Sequence, residues 1–143
     1  RPEPELKKFK DILEKKIQEY RINFLESDEG FINNWPQKYS LYGWLVSIKS
    51  GGKLKAHVHR EGWLSGSIYL RMPKMSGEGN ILFGLGLEGS DLPNDGKTYP
   101  QKEYEVIEKD LVLFPSSLYH QTLSFSGDQD RLSFAFDVIP DKL

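Results

Sequence analysis

The feature that most constrains the fold is a series of short apolar segments, separated by turn residues, that begins at Tyr39. Eight strands are predicted, and they span residues 41–49, 53–60, 65–72, 80–86, 103–108, 110–115, 118–124 and 131–139. Gly, Pro, Asn and Asp residues mark the turns between several of them. Strands at this spacing, with no helix between them, indicate a sandwich or barrel rather than βαβ units. The predicted fold class is therefore mainly β.

The start of the chain has a different periodicity. Residues 3–26 are predicted to form an amphipathic α-helix, because apolar residues recur there at three- and four-residue steps. These residues are Leu6, Phe9, Leu13, Ile17 and Tyr20. We interpret residues 1–143 as a single domain, with the helix at 3–26 and the β core at 39–140. The polar stretch 87–102 is predicted to be a surface loop.

Composition excludes several classes of function. The sequence has no cysteine, which rules out disulfides, zinc-thiolate sites and thiol nucleophiles. The net charge of -2 gives no basic footprint for nucleic acid or an anionic membrane. No apolar run is long enough to span a bilayer. No secretory signal is recognisable, so we expect a cytoplasmic protein. Because the chain begins at Arg1 rather than Met, it can be a piece of a longer protein.

All three histidines fall in a pattern typical of metal ligands. His57 and His59 are two residues apart on a predicted strand, so both side chains project from the same face. The third, His120, follows a buried-type strand that a β-sandwich can bring to the same place. Neutral imidazole is a good ligand for iron, zinc, copper or nickel. The competing interpretation is two surface histidines and one in a turn, and we favour the metal site.

The last predicted strand carries a cation on a face that can point inward. Arg131 and Ser133 share that face, while Leu132 and Phe134 share the other. A buried guanidinium requires an anion, and its planar fork suits a carboxylate. Spacing alone leaves a second possibility open, in which Arg131 lies on the surface and pairs with an aspartate at the strand entrance, Asp128 or Asp130.

Several segments of the sequence, in this order, resemble a family of 2-oxoglutarate/iron(II) oxygenases, some of which are attached to tetratricopeptide-repeat proteins. The segments are Gly43-Trp44-Leu45, Gly51-Gly52, His57-Val58-His59, Gly62-Trp63-Leu64-Ser65-Gly66-Ser67-Ile68-Tyr69-Leu70, Leu113-Phe114-Pro115-Ser116, His120-Gln121-Thr122 and Arg131-Leu132-Ser133-Phe134-Ala135-Phe136-Asp137. The resemblance runs from about Trp35 to Pro140, which is most of the chain.

The resemblance implies a double-stranded β-helix (jelly roll) and two cofactors, Fe(II) and the co-substrate 2-oxoglutarate. It implies that the three histidines hold the iron and act as the catalytic residues. It also implies that Arg131, Ser133 and Tyr69 bind 2-oxoglutarate. The activity it implies is hydroxylation of an unidentified substrate, a small molecule or a protein side chain, with release of succinate and CO2. The oligomeric state is not readable from the sequence.

One position departs from the usual pattern of this enzyme class. Most 2-oxoglutarate oxygenases hold iron with two histidines and one carboxylate, and His59 occupies the carboxylate position. The site is then one negative charge short, unless 2-oxoglutarate supplies the anionic ligand. A shifted register, in which His59 and Glu61 form the H-x-E pair, is the alternative. We prefer His57 and His59.

Three other functions are compatible with parts of the sequence. A cupin-type metalloenzyme with a three-histidine site would use the same histidines but would not require Arg131. A non-catalytic jelly-roll binding module would use none of them for chemistry. A triad of Ser116, His120 and Asp137 can also be drawn, but no nucleophile-elbow sequence accompanies it.

Overall fold

The computed structural model describes residues 3–73, 77–87 and 97–141. The chain divides into two compact units, Arg1–Gln37 and Lys38–Leu143. The interpretation of residues 1–143 as one domain stays a prediction. In the part of the chain that is described, no helix combines the length and the apolar character needed to cross a bilayer.

The first unit contains two helices, α1 (Pro4–Asn23) and α2 (Gly30–Asn33). Pro4 stands in the first turn of α1, where its missing N–H removes no helical hydrogen bond. The predicted helix ran three residues too far, because the backbone at Phe24 leaves helical geometry with φ -116° and ψ 14°. Leu13 and Ile17 are buried, whereas Leu6 is 60% exposed, so only the middle of the predicted apolar stripe is covered.

The described residues of the second unit form eight strands, and each overlaps one of the eight predicted strands. They are β1 (Tyr39–Ile48), β2 (Leu54–His57), β3 (Leu64–Arg71), β4 (Ile81–Gly84), β5 (Gln101–Tyr104), β6 (Leu111–Pro115), β7 (His120–Thr122) and β8 (Arg131–Pro140). They form two four-stranded sheets, in the orders β1-β8-β3-β6 and β2-β7-β4-β5. All the strand pairs are antiparallel. The mainly β jelly-roll prediction is confirmed.

The prediction for β5 was shifted toward the C-terminus. The predicted strand 103–108 shares only residues 103 and 104 with β5, and the chain turns between Ile107 and Asp110. Asp110 accepts a hydrogen bond from the backbone N–H of Ile107 at 3.0 Å and donates its own N–H back to Ile107 O at 3.2 Å. Lys109 completes this turn with φ 75°. Strand β5 begins instead at Gln101, inside the predicted loop 87–102; residues 88–96 of that loop lie outside the described residues.

The core between the two sheets is aromatic and aliphatic. Tyr69 and Phe114 of the first sheet pack with Ile81 and Phe83 of the second, and Met72 and Val106 complete the cluster. Phe83 and Phe114 meet edge to face with ring centroids 4.9 Å apart, a favourable arrangement for aromatic pairs. Strand β8 is central in its sheet because it pairs with β1 on one side and with β3 on the other.

Replacing Gly66 by Ala should destabilise the second unit. A Cβ atom at this position would lie 2.3 Å from Cζ of Phe136 and 2.9 Å from Cδ2 of Leu113. The Phe136 ring is 1% exposed and has little room to move, so we expect a loss of about 1–3 kcal/mol in the free energy of unfolding. Urea denaturation measures this. The control is Leu45→Ala on the same sheet, since Leu45 is 65% exposed and its truncation should cost less than about 0.5 kcal/mol.

Candidate metal centre

The structure brings the three histidines together between the sheets. His57 ends β2 and His120 begins β7, and the two residues face each other directly across this strand pair. His59 follows two residues after His57 and lies beyond the end of β2. The sequence had predicted that this strand would continue to residue 60 and include His59. The ring centroids of His57 and His120 lie 4.4 Å apart, and that of His59 lies 5.2 Å from each. One potential ligand nitrogen from each ring lies within 4.8 Å of the others.

The hydrogen bonds of the three rings leave the same nitrogen free in each. Nδ1 of His57 donates to the backbone carbonyl of Lys55 at 2.7 Å, and Nδ1 of His120 donates to that of Leu118 at 3.0 Å. Nδ1 of His59 donates to Oδ1 of Asp137 at 2.6 Å. Carbonyl and carboxylate oxygens only accept, so each Nδ1 carries the ring proton. In the neutral form of each ring, Nε2 is then the nitrogen that keeps a lone pair for an electrophile, as in protein metal sites.

His120 is held in the uncharged form that a metal ligand needs. Its side chain packs against the core aromatics, with its ring centroid 4.6 Å from that of Phe114 and 6.0 Å from that of Phe83. This burial lowers the pKa of His120 to about 4, and the neighbouring His57 and His59 add to the effect. At neutral pH the ring is a neutral donor.

Asp137 is a functional candidate to which the sequence interpretation gave no role at the metal site. It had been considered only as the acid of a triad with Ser116 and His120, and the structure does not assemble that triad. Asp137 pairs with His59, while Nδ1 of His120 is bonded to a backbone carbonyl. The alternation that put Arg131 and Ser133 on one face of β8 puts Asp137 on the same face, so the signal was present in the sequence.

Arg131 points inward and is buried. Its residue is 2% exposed, its Nε donates to the carbonyl of Gly79 at 3.0 Å, and its Nη1 is 3.5 Å from Oγ of Ser133. Among the described residues, no carboxylate lies within ion-pair distance of the guanidinium. The surface pairing of Arg131 with Asp128 or Asp130 was therefore wrong. Because a buried charge is costly when unpaired, this guanidinium indicates a site for an anion.

Tyr69 lies beside Arg131 and offers a second unsatisfied group. The guanidinium carbon lies 4.9 Å from the centroid of the Tyr69 ring. The Tyr69 hydroxyl is buried and makes no well-formed hydrogen bond among the described residues, although Ser67 and Arg131 lie close to it. Burial raises the pKa of Tyr69, and the charge of Arg131 opposes that shift only in part, so the phenol stays protonated and can donate. A buried donor without an acceptor costs stability, and an anionic ligand would supply the acceptor.

One cavity connects the histidines to the guanidinium. It has a volume of about 70 Å³, and all six residues that the sequence nominated line it. These are His57, His59, His120, Arg131, Ser133 and Tyr69. Apolar groups such as Val46, Leu54 and Ile81 complete the wall. Three neutral nitrogen donors and an unpaired cation thus face the same enclosed space, which fits a metal ion with an anionic chelator.

Glu61 lies outside the histidine cluster. It is exposed in the turn that follows His59 and lines a second, more open cavity of about 540 Å³. Tyr42, Trp44 and Asp137 also line that cavity. Trp44 lines the enclosed cavity as well, and its ring centroid is 5.7 Å from that of His59. The two cavities therefore share Trp44, which lies beside His59.

Comparison with solved structures finds the same fold in 2-oxoglutarate enzymes. HygX from Streptomyces hygroscopicus, solved with nickel and 2-oxoglutarate bound, has a TM-score of 0.55 at 16% identity over 73% of this chain and 59% of its own. A prolyl-4-hydroxylase from Pseudomonas putida has a TM-score of 0.52 at 20% identity over 77% of this chain and 59% of its own. The chain thus spans less than two thirds of these proteins, and the likeness at these identities is one of fold.

The search of curated protein sequences gave no match. A family model with the description "Putative 2OG-Fe(II) oxygenase" matches residues 42–137, which is more than half of the chain and lies within the second unit. The matched segment includes every histidine and the whole inward face of β8 from Arg131 to Asp137. The chain belongs to the 2OG-Fe(II) oxygenase family.

Proposed function

We propose that this protein is an Fe(II)- and 2-oxoglutarate-dependent oxygenase that hydroxylates a substrate with release of succinate and CO2. The observation that carries the proposal is the buried Arg131, which has no carboxylate partner in the described chain and shares one enclosed cavity with three free Nε2 atoms. A cation site and an anion site in one cavity are what a metal with a chelating dicarboxylate requires.

His57, His59 and His120 are the proposed metal ligands. Each presents Nε2 because its Nδ1 is bonded to an oxygen acceptor, which also fixes the orientation of the ring. Bound iron and 2-oxoglutarate would supply the activation of oxygen for attack on a C–H bond. The proposed role of the histidines is to hold the metal through Nε2 and not to transfer protons.

Arg131, Ser133 and Tyr69 are the proposed residues for the far carboxylate of 2-oxoglutarate. The guanidinium neutralises its charge, and the hydroxyl groups of Tyr69 and Ser133 donate further hydrogen bonds. Burial of this group excludes water from the carboxylate, which strengthens each of these contacts. A cupin-type enzyme with three histidines, or a binding module without catalysis, gives no role to an unpaired guanidinium beside an unpaired phenol, so we favour the oxygenase.

The open cavity at Tyr42 and Trp44 is the proposed approach for the substrate. It adjoins the histidine cavity at Trp44, beside His59, and Arg131 does not line it, so substrate and co-substrate would occupy different cavities. A small molecule or a protein side chain fits this arrangement. The proposed location is the cytoplasm, where a chain without cysteine has no need of an oxidising compartment.

Anaerobic titration with Fe(II) and then 2-oxoglutarate tests the proposed function. We expect the weak visible charge-transfer absorption of a chelated iron complex, and uncoupled succinate release once oxygen is admitted. His57→Ala should abolish both, because it removes one of three ligands. The matched control is Glu61→Ala, which should leave the absorption intact, since Glu61 lies outside the cluster. Loss with Glu61→Ala and retention with His57→Ala would instead support the shifted register.

Arg131→Met should separate co-substrate binding from metal binding. Removing one partner of a buried charge pair costs about 2–5 kcal/mol, so we expect the Kd for 2-oxoglutarate to rise by about 100-fold or more. The Kd for the metal alone should change less than about 3-fold, since Arg131 touches none of the histidines. Arg71→Met, at an exposed arginine of β3, is the control. Equal loss of metal affinity and 2-oxoglutarate affinity would contradict the assigned role.

The same variant should not destabilise the protein without ligands. Burying a cation with no carboxylate partner costs several kcal/mol, and methionine is apolar and of similar length. The Gly79 carbonyl loses one hydrogen bond, which costs about 1 kcal/mol. We therefore expect Arg131→Met to unfold at the same or a higher urea concentration than the parent protein. A clear drop in the midpoint, absent in Arg71→Met, would mean that Arg131 serves the fold rather than a ligand.

A further inference from the structure

We propose that Asp137 is a positioning residue of the metal centre and that, through His59, it supplies the negative charge which a carboxylate ligand supplies in most enzymes of this class. This inference rests on the proposed function, since it assigns His59 to the metal. It accounts for the departure from the usual ligand pattern, in which His59 stands at the position of the carboxylate ligand. In this chain the negative charge would lie on Asp137, which is hydrogen-bonded to the proposed ligand His59, and not on a ligand itself.

Four side chains form the Asp137 network: Asp137, His59, Ser65 and Ser116. Oδ1 of Asp137 accepts from Nδ1 of His59 and from Oγ of Ser65, both at 2.6 Å. Oγ of Ser65 is in turn 2.8 Å from Oγ of Ser116. Asp137 faces Ser65 directly across the β8–β3 pair, so the strand register itself sets this contact.

With Asp137 ionised and the His59 ring neutral, one arrangement of protons satisfies the Asp137 network, in which Oγ of Ser65 also lies 3.2 Å from Nδ1 of His59. A carboxylate accepts and cannot donate, so both His59 and Ser65 give their protons to Asp137. Ser65 then has no proton left for Ser116, and Ser116 must donate to Ser65. His59 is consequently locked with its proton on Nδ1, and its Nε2 lone pair points away from Asp137.

The environment makes the charge of Asp137 effective. Ser65 and Ser116 are fully buried, and Asp137 is 8% exposed. In this low-dielectric setting a negative charge behind the ring raises the basicity of the free nitrogen and attracts a cation beyond it. Three neutral imidazoles with one ionised Asp137 carry the same total charge as two imidazoles with one carboxylate ligand.

The chain packs closely against one side of the Asp137 network. A Cβ at Gly62 would lie 2.5 Å from Oγ of Ser116, 2.9 Å from its Cβ and 3.4 Å from Cγ of Asp137. The chain therefore passes directly over the network at a glycine. His59 is also tied to this point through its backbone, because its N–H donates to the carbonyl of Ser116 at 2.9 Å.

The first test measures metal affinity in the absence of 2-oxoglutarate and of turnover. Asp137→Asn keeps the size of the side chain and removes its charge, and we expect it to weaken binding of Co²⁺ and of anaerobic Fe²⁺ by about 10- to 100-fold. The visible spectrum of the Co²⁺ protein should also shift. Asp141→Asn is the matched control, because Asp141 is an exposed carboxylate that lines the same open cavity. It should change the affinity less than about 2-fold.

The second test asks whether Asp137 acts through His59 or only maintains the fold. His59→Asp restores a carboxylate ligand, and Asp137 then becomes a like charge next to it. We expect Asp137→Asn to leave metal affinity unchanged or to raise it in the His59→Asp background, although the same change lowers affinity in the parent protein. A loss of equal size in both backgrounds would assign Asp137 a structural role and overturn the proposal.

Failure of this inference is distinguishable from failure of the proposed function. If the parent protein binds metal and His57→Ala does not, the centre exists. An affinity of Asp137→Asn within about 2-fold of the parent then overturns only the role of Asp137. If the parent protein itself binds no metal, both proposals are overturned. Where neither variant with His59→Asp binds the ion, the comparison of Asp137→Asn with Asp141→Asn decides.

Discussion

The arrangement of this site depends on strand β8 being paired along both edges. Its partners, β1 and β3, fix its pleat, and the pleat fixes which side chains point between the sheets. Arg131 stands at one end of the inward row and Asp137 stands six residues further along. At the rise of an extended strand these two residues are about 20 Å apart along the backbone. One strand thus carries both buried charges of the centre.

Among the described residues, each of these two charged side chains has neutral neighbours but no partner of opposite charge, and the neighbours differ. Arg131 has a carbonyl and an aromatic face as neighbours but no carboxylate in the described chain. Asp137 has two hydrogen-bond donors but no full positive charge within its network. They are too far apart to neutralise each other effectively, although their charges cancel formally. A dication beside His59 and a dianion reaching to Arg131 would neutralise both locally, which relates the choice of ligands to the electrostatics of the fold.

The inward direction of several site residues could be predicted from the sequence, because the spacing of residues along a strand determines which face they share. Alternation along strands placed Arg131 and Ser133 inward, and the H-x-H spacing placed His57 and His59 side by side. The same reasoning failed for β5, because a side-chain hydrogen bond decides the turn that follows it. Asp110 accepts this hydrogen bond from the backbone N–H of Ile107. Apolar patterning contains no information about such a competing hydrogen bond, so Val106 and Ile107 were taken for strand residues.

Asp137 illustrates a different limit. The same alternation predicts that Asp137 points inward, but it does not predict which histidine Asp137 contacts. The three imidazole ring centroids lie only 4.4 to 5.2 Å apart. Which ring receives the carboxylate depends on the register between β8 and β3, which puts Ser65 opposite Asp137. It also depends on the carbonyls of Lys55 and Leu118, which already occupy the other two Nδ1 atoms. His59 is the one ring without a backbone acceptor for its Nδ1, and it is also the one that stands in the position of the acid. The carboxylate of Asp137 therefore binds the one proposed ligand, His59, whose Nδ1 proton is not held by a backbone carbonyl.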